Sequence, residues 1–141
     1  MSEKIHGYAL SSLEKVREVS AIITKNSDAI HSALRRFSAA VPTTGSGTAY
    51  ALLTEEYALR ARAHILGNDA ERFVVSDFLV SQEELVRELL DTEERFRSLG
   101  NLDELSDLVT ALILFSNAIV SKKNTVMLFL LKNLSDTRLC A

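Results

Sequence analysis

Apolar positions in the first third of the chain repeat at alternating spacings of three and four residues. This spacing is typical of helices that pack with knobs in holes. It predicts one long helix over residues 4–41, with Gly7 weakening its first turn. A Lys-Asn-Ser-Asp stretch could instead cap a new helix at Ser27, but the apolar phase is kept across it and favours the continuous helix. The seam positions are Leu13, Val16, Ser20, Ile23, Ser27, Ile30, Leu34, Phe37 and Val41.

The single proline, Pro42, opens the clearest linker of the chain, residues 42–48. Two glycines follow it and tolerate any turn, while the Gly-Lys step that a phosphate loop requires is missing. We therefore interpret the linker as a helix connection that ends with Thr48 as an N-cap. The next helix is predicted over residues 49–66, and Gly67 is predicted to end it as a C′ residue.

A third seam, with one slip in its phase, follows this helix. It predicts a single helix over residues 69–99 that is stopped by Gly100. Ser81 offers an alternative start, because Ser81 and Glu84 form the Ser-x-x-Glu pattern of a capping box. Under that alternative a separate helix begins at residue 81.

The most apolar stretch, residues 105–131, carries apolar side chains on every face. Such a helix must be wrapped by other helices or by lipid. Lys122 and its polar neighbours interrupt it before either half reaches the ~20 apolar residues of a membrane span. We therefore interpret it as the central core helix of a bundle, with no membrane span. Two alternatives stay open: one helix continuous to about residue 134, or a hairpin that turns at residues 121–124.

These segments together predict the all-α class. We expect a single domain over residues 1–141, built as an elongated antiparallel helical bundle of about four helices, three of them long. A chain of this length buries enough apolar surface for one core.

Charge and cysteine content narrow the choice of partner and compartment. Lys+Arg 16 against Asp+Glu 19 gives a formal net charge of −3, so no net positive field favours nucleic acid. The start of the chain lacks the apolar segment of a signal peptide, and the lone Cys140 cannot form an intrachain disulfide. We expect a cytoplasmic protein that binds no nucleic acid.

Residue types needed for metal, haem or catalytic sites do not occur in the required patterns. A di-iron bundle needs Glu-x-x-His on two helices, and the chain has one match, Glu3 with His6. No histidine follows His64, so a haem site with His64 on the distal side would lack its proximal ligand. The scattered histidines and the tail cysteine form no nucleophile and base pair. We therefore expect no metal, no cofactor and no enzymatic activity.

The densest basic cluster lies near the end of the second predicted helix. Arg60 and His64 share a helix face at i, i+4, and Arg35 or Arg36 from a neighbouring helix could complete an anion site. Glu56, four residues before Arg60, offers a simpler interpretation, an ion pair within the helix. The sequence leaves both open.

Our leading hypothesis for function is binding to another protein, or self-association as a homodimer, in the role of an adaptor, chaperone, regulator or immunity-type inhibitor. Further apolar residues lie outside the seam positions, and they exceed the number that the core of one narrow bundle would bury. These are Val19, Ile22, Val75, Leu79, Val86, Leu90, Ile113 and Leu114.

The alternative hypothesis is a sensor bundle that binds a small ligand. Small or polar side chains stand at seam positions where Leu or Ile would bury more area, and they could line one cavity. These are Ser20, Ser27, Ser81, Thr92, Ser116 and Lys122.

Overall fold

A computed structural model describes residues 8–40 and 46–140 of the chain. Within them the fold is all-α, with helices packed against each other and no strands, as predicted. The described helices are α1 (Leu13–Ala40), α2 (Ser46–Asn68), a 3-10 helix (Ala70–Phe73), α3 (Gln82–Ser98), α4 (Leu102–Ser121) and α5 (Asn124–Cys140).

Helix α1 is the longest element and packs against both α2 and α3. It is continuous through Ser27, as the unbroken apolar phase predicts. Its predicted start at residue 4 is wrong, because residues 8–12 are not helical and Ser12 accepts a hydrogen bond from the N–H of Lys15 at the helix start. Residues 8–10 instead pair with the segment before α3, where the N–H of Ala9 donates to the carbonyl of Val80 at 2.7 Å. Residues 4–7 and 41 lie outside the described residues.

Helix α2 is longer than predicted at both ends. It begins at Ser46, so Thr48 lies inside it and is not its N-cap. Gly67 also lies inside it, without a positive φ, and the predicted C′ role is wrong. A Cβ at Gly67 would lie 2.9 Å from the hydroxyl of Ser20, which donates to the carbonyl of Ala63 at 2.6 Å. The glycine therefore serves the close approach of α1 and α2.

The single helix predicted over residues 69–99 is wrong, and the alternative start at Ser81 is confirmed. Ser81 caps α3 by accepting a hydrogen bond from the N–H of Glu84 at 3.0 Å. Between the 3-10 helix and α3 the chain has no helical structure. This non-helical segment buries Val75, Phe78 and Val80, so the apolar spacing there had suggested a helix where none forms.

The apolar stretch at residues 105–131 forms a hairpin, one of the two alternatives. α4 ends at Ser121, and the next residue, Lys122, adopts the left-handed conformation (φ 57°, ψ 41°). The N–H of Lys122 donates to the carbonyl of Ile119 and that of Lys123 to Ala118, the bond pattern of a Schellman motif. α5 then runs back along α4. The predicted long helix is thus divided in two, which raises the count of helices.

Helix α4 contacts α1, α2 and α5 and is buried on most of its surface. Among the described residues it is also the one helix long and apolar enough to cross a membrane by length and composition, with a mean hydropathy of 1.4. Within that window 56% of the residues are buried inside the protein, as expected for the central helix of a bundle.

Candidate interaction face

Arg60 is held by two carboxylates. Its Nη2 donates to Oε1 of Glu56 at 2.6 Å and lies 3.0 Å from Oδ1 of Asp28 on α1. The hydrogen bond that Arg60 donates to Glu56 is the main cause that raises the pKa of Arg60; burial opposes it and Asp28 adds to it. The simpler of the two sequence interpretations, pairing with Glu56, is present. With two carboxylates on its guanidinium, Arg60 offers little positive potential to a free anion.

The other members of the predicted anion cluster have separate surroundings. Arg36 donates to the carbonyls of Phe96 and Leu99 at 3.4 Å, at the end of α3, where a cation offsets the negative end of the helix dipole. Arg35 and His64 are exposed. Arg36 therefore engages α3 while Arg60 engages α1 and its own helix, and the predicted anion site is not assembled.

Three of the six predicted cavity residues are buried, and their hydroxyl groups donate hydrogen bonds to backbone carbonyls. Ser20 donates to Ala63, Thr92 to Glu88 at 2.8 Å and Ser116 to Ile113 at 2.9 Å. Two others, Ser81 and Lys122, are exposed, because one caps α3 and the other ends α4. Their assignment to a buried cavity is wrong. The sixth residue, Ser27, differs from these.

Ser27 and Glu56 are buried polar residues that each leave an atom without a described partner. Ser27 is fully buried, and its hydroxyl makes no hydrogen bond with the described residues. The side chain of Glu56 is 1% exposed, and its Oε2 makes no hydrogen bond with the described residues. Ser20 faces Ala63 across the contact between α1 and α2. Ser27 lies seven residues after Ser20, and Glu56 lies seven residues before Ala63. Because seven residues are two helical turns, Ser27 lies opposite Glu56. A buried unpaired polar atom costs about 1 to 3 kcal/mol, so two at one level mark an unusual position.

An open cleft of about 390 Å³ lies beside this pair. Glu56 forms part of its wall, and the carboxylate of Asp28 adds a second negative charge against the single charge of Arg60. Only the spacing of Glu56 and Arg60 was visible in the sequence, because the packing of α1 against α2 brings Asp28 to Arg60. The cleft residues are Asp28, His31, Ser32, Glu56, Tyr57 and Arg60.

The apolar residues predicted to exceed the core divide between core and surface. Val19, Ile22, Val75 and Ile113 are buried, and Val86 is half-buried. Leu79, Leu90 and Leu114 are exposed. Further exposed apolar side chains come from α5, among them Val126 and Phe129, which belong to the stretch at residues 105–131 that was interpreted as a core helix.

Exposed apolar residues of α4 and α5 lie together on the outer side of the hairpin. Asp107 and Thr110 of α4 line a groove of about 550 Å³ with Asn133 and Asp136 of α5. Leu114 follows Thr110 by four residues, so it continues the α4 side of this groove towards the turn.

On α5, Phe129 and Val126 precede Asn133 by four and seven residues and continue the other side of the groove. Phe129 is 71% exposed, Leu114 43% and Val126 42%. The exposed Lys122 and Lys123 form the turn itself.

We call this surface the hairpin face. Its order along the hairpin is acidic, then apolar, then basic at the turn. It consists of Asp107, Leu114, Lys122, Lys123, Val126, Phe129 and Asp136.

Within the described residues, no group of three or more His, Cys, Asp or Glu side chains could hold a metal ion. No protein-family model, curated protein or solved structure matches the chain. The hairpin face and the cleft at Glu56 are therefore interpreted from their own geometry.

Proposed function

We propose that the chain is a non-enzymatic interaction module that binds a protein through the hairpin face. The observation that supports this most is Phe129, a large aromatic side chain left 71% exposed on a packed helix. Leu114 and Val126 extend the apolar surface around it. Aromatic residues beside smaller apolar ones are typical anchors of protein interfaces. An adaptor, regulator, chaperone or immunity-type inhibitor would use such a surface.

We further infer that α4 is the core helix of this module and not a membrane span, and that the module works in the cytoplasm. The burial of α4 against three other helices supports the first inference. The second rests on the composition of the chain alone.

Photo-crosslinking from the hairpin face tests the proposed function. A photoreactive phenylalanine analogue at position 129, introduced in the cell that makes the protein, is expected to give a discrete protein adduct. The same analogue at Tyr50 is the matched control, because Tyr50 is an aromatic residue of similar exposure, 74%, on α2. Adducts of equal yield and mass at both positions would mean that the hairpin face has no special partner.

A second candidate function, small-ligand binding, is supported by the unpaired atoms of Ser27 and Glu56. The ligand we propose is a small protonated amine, because Asp28 and Glu56 against Arg60 leave one net negative charge at the cleft. An ammonium group could donate to both Oε2 of Glu56 and the hydroxyl of Ser27. Access requires a small movement of Tyr57 or Arg60, whose side chains line the cleft.

Thermal unfolding with n-butylamine as the probe tests this candidate. At ten times its dissociation constant the amine is expected to raise Tm by about 5 °C, whereas n-butanol is not. Glu56→Gln should abolish the shift, and Glu55→Gln, which removes the same charge from the exposed neighbouring position, should keep it. A shift that does not saturate, or that persists in Glu56→Gln, would eliminate the amine site.

A further inference from the structure

The charged ends of the hairpin face lie at equal distances from its apolar centre. On the α5 side, Phe129 lies seven residues after Lys122 and seven before Asp136. On the α4 side, Leu114 lies seven residues after Asp107 and eight before Lys122. At about 1.5 Å per helical residue, each end is ~10 Å from the apolar centre.

A surface with this order matches a second copy of itself when the two copies run antiparallel. A two-fold axis through the apolar centre would bring Phe129 of both copies together. It would also bring the basic turn of each copy onto the acidic end of the other. A parallel arrangement would set like charges against each other, which is unfavourable.

We propose that two copies of this chain pair antiparallel through the hairpin face, with Lys122 and Lys123 of each copy against Asp107 and Asp136 of the other. This rests on the proposed function, since it names the partner of the same surface. The charge order favours self-pairing over an unrelated partner, because both complementary ends are present on one chain.

The four charged residues have no ion-pair partner among the described residues. Lys132 lies near the acidic end, but it lines the cleft on the α3 side of α5 with Leu128 and Ser135. Glu104 is partly engaged, because its Oε1 accepts the N–H of Gly100. Asp107 and Asp136 are thus the carboxylates open to a second copy.

The hairpin face is small for a protein interface. α5 has 17 residues and is therefore ~25 Å long, and two helices side by side are about 20 Å wide. The resulting ~500 Å² for each copy is below the roughly 800 Å² of a standard interface. An interface of this size is typical of weak, transient contacts, so we expect a reversible dimer that dissociates on dilution.

Charge-reversal variants test the pairing. Sedimentation velocity at protein concentrations up to 200 µM measures whether each variant, and their mixture, is monomeric or dimeric. One variant carries Asp107→Lys with Asp136→Lys, and the other carries Lys122→Glu with Lys123→Glu. Each is expected to be monomeric alone, with dimerisation weakened at least about 100-fold, because like charges then meet at both ends. An equimolar mixture is expected to form a heterodimer, because opposite charges meet at both ends again.

Glu55→Lys with Glu94→Lys is the matched control, because it adds the same charge at exposed positions outside the hairpin face. It should keep its own dimer and pair with the Lys122→Glu, Lys123→Glu variant more weakly than the Asp107→Lys, Asp136→Lys variant does, because like charges then still meet at one end. Circular dichroism of each variant verifies the fold, and the heterodimer itself shows that both charge-reversed chains are folded.

A monomeric wild type at 200 µM would overturn the self-pairing. The proposed function would still stand if position 129 then gave a cross-link to a different protein. A wild-type dimer that both charge-reversed variants keep would also overturn the antiparallel pairing. If that dimer persisted in Phe129→Glu as well, the hairpin face would not be its interface. The proposed function would fail with it only if position 129 also gave no cross-link to any protein.

Discussion

Replacing Leu112 by alanine is expected to lower the free energy of unfolding by about 3 kcal/mol. Leu112 is fully buried in the middle of α4, the helix that contacts α1, α2 and α5. Truncation there removes apolar contacts to several helices at once and leaves a cavity that a packed core fills only in part. Denaturant unfolding followed by circular dichroism measures the change.

Leu114→Ala is the matched control for this prediction. It removes the same atoms two residues further along the same helix, from a side chain that is 43% exposed. We expect a loss below about 1 kcal/mol. Equal losses for the two variants would contradict the assignment of α4 as the central helix with one face open.

Replacing Arg60 by methionine is expected to destabilise the protein by about 2 kcal/mol. The change leaves the carboxylate of Glu56, 1% exposed, without its charged partner, and an uncompensated buried charge is costly. The expected loss is smaller than the roughly 3 to 5 kcal/mol of a fully buried pair, because the side chain of Arg60 is itself 31% exposed. Denaturant unfolding at neutral pH measures it.

Two further variants complete this test. Replacing Glu56 and Arg60 together by methionine removes both charges and is expected to recover most of the lost stability. Asp28→Asn removes the exposed partner of Arg60 and should change stability by less than about 1 kcal/mol. If the double variant were as unstable as Arg60→Met, the loss would come from packing and not from the buried charge.

Helix phase was predictable from the sequence where the helix is unbroken. The seam through Ser27 keeps its spacing over many turns, so local capping signals at Lys25 to Asp28 did not outweigh it. The all-α class followed from the same spacing. The sequence could not show where apolar residues leave the helical phase for a non-helical segment, because a buried residue such as Phe78 is compatible with either structure.

Helix ends were predictable where side chains provide them. Ser81 caps α3 by accepting a hydrogen bond from the N–H of Glu84, and its Ser-x-x-Glu pattern had indicated this start as the alternative. The prediction for Gly67 was wrong, because the sequence does not distinguish a glycine that ends a helix from one that allows a second helix to approach closely. The left-handed residue at the turn is Lys122 and not the glycine or asparagine that usually adopts this conformation. Only the interruption of the apolar stretch by polar residues indicated a hairpin there.

The candidate surfaces depend on tertiary packing, which limited their prediction. Asp28 reaches Arg60 because α1 and α2 pack together, and no spacing within one helix indicates that contact. Phe129 fits the apolar seam of a continuous helix, but the hairpin turns it to the outside. The excess of apolar residues was visible in sequence; which of them stay exposed was not.

The cross-link yield at position 129 relative to position 50 tests the central claim, that the hairpin face binds a protein, most directly. Both positions carry an exposed aromatic residue, so the ratio separates a specific contact from simple exposure. We predict one discrete adduct at position 129 and none of the same mass at position 50. Equal yields, or no adduct at either position, would contradict the account.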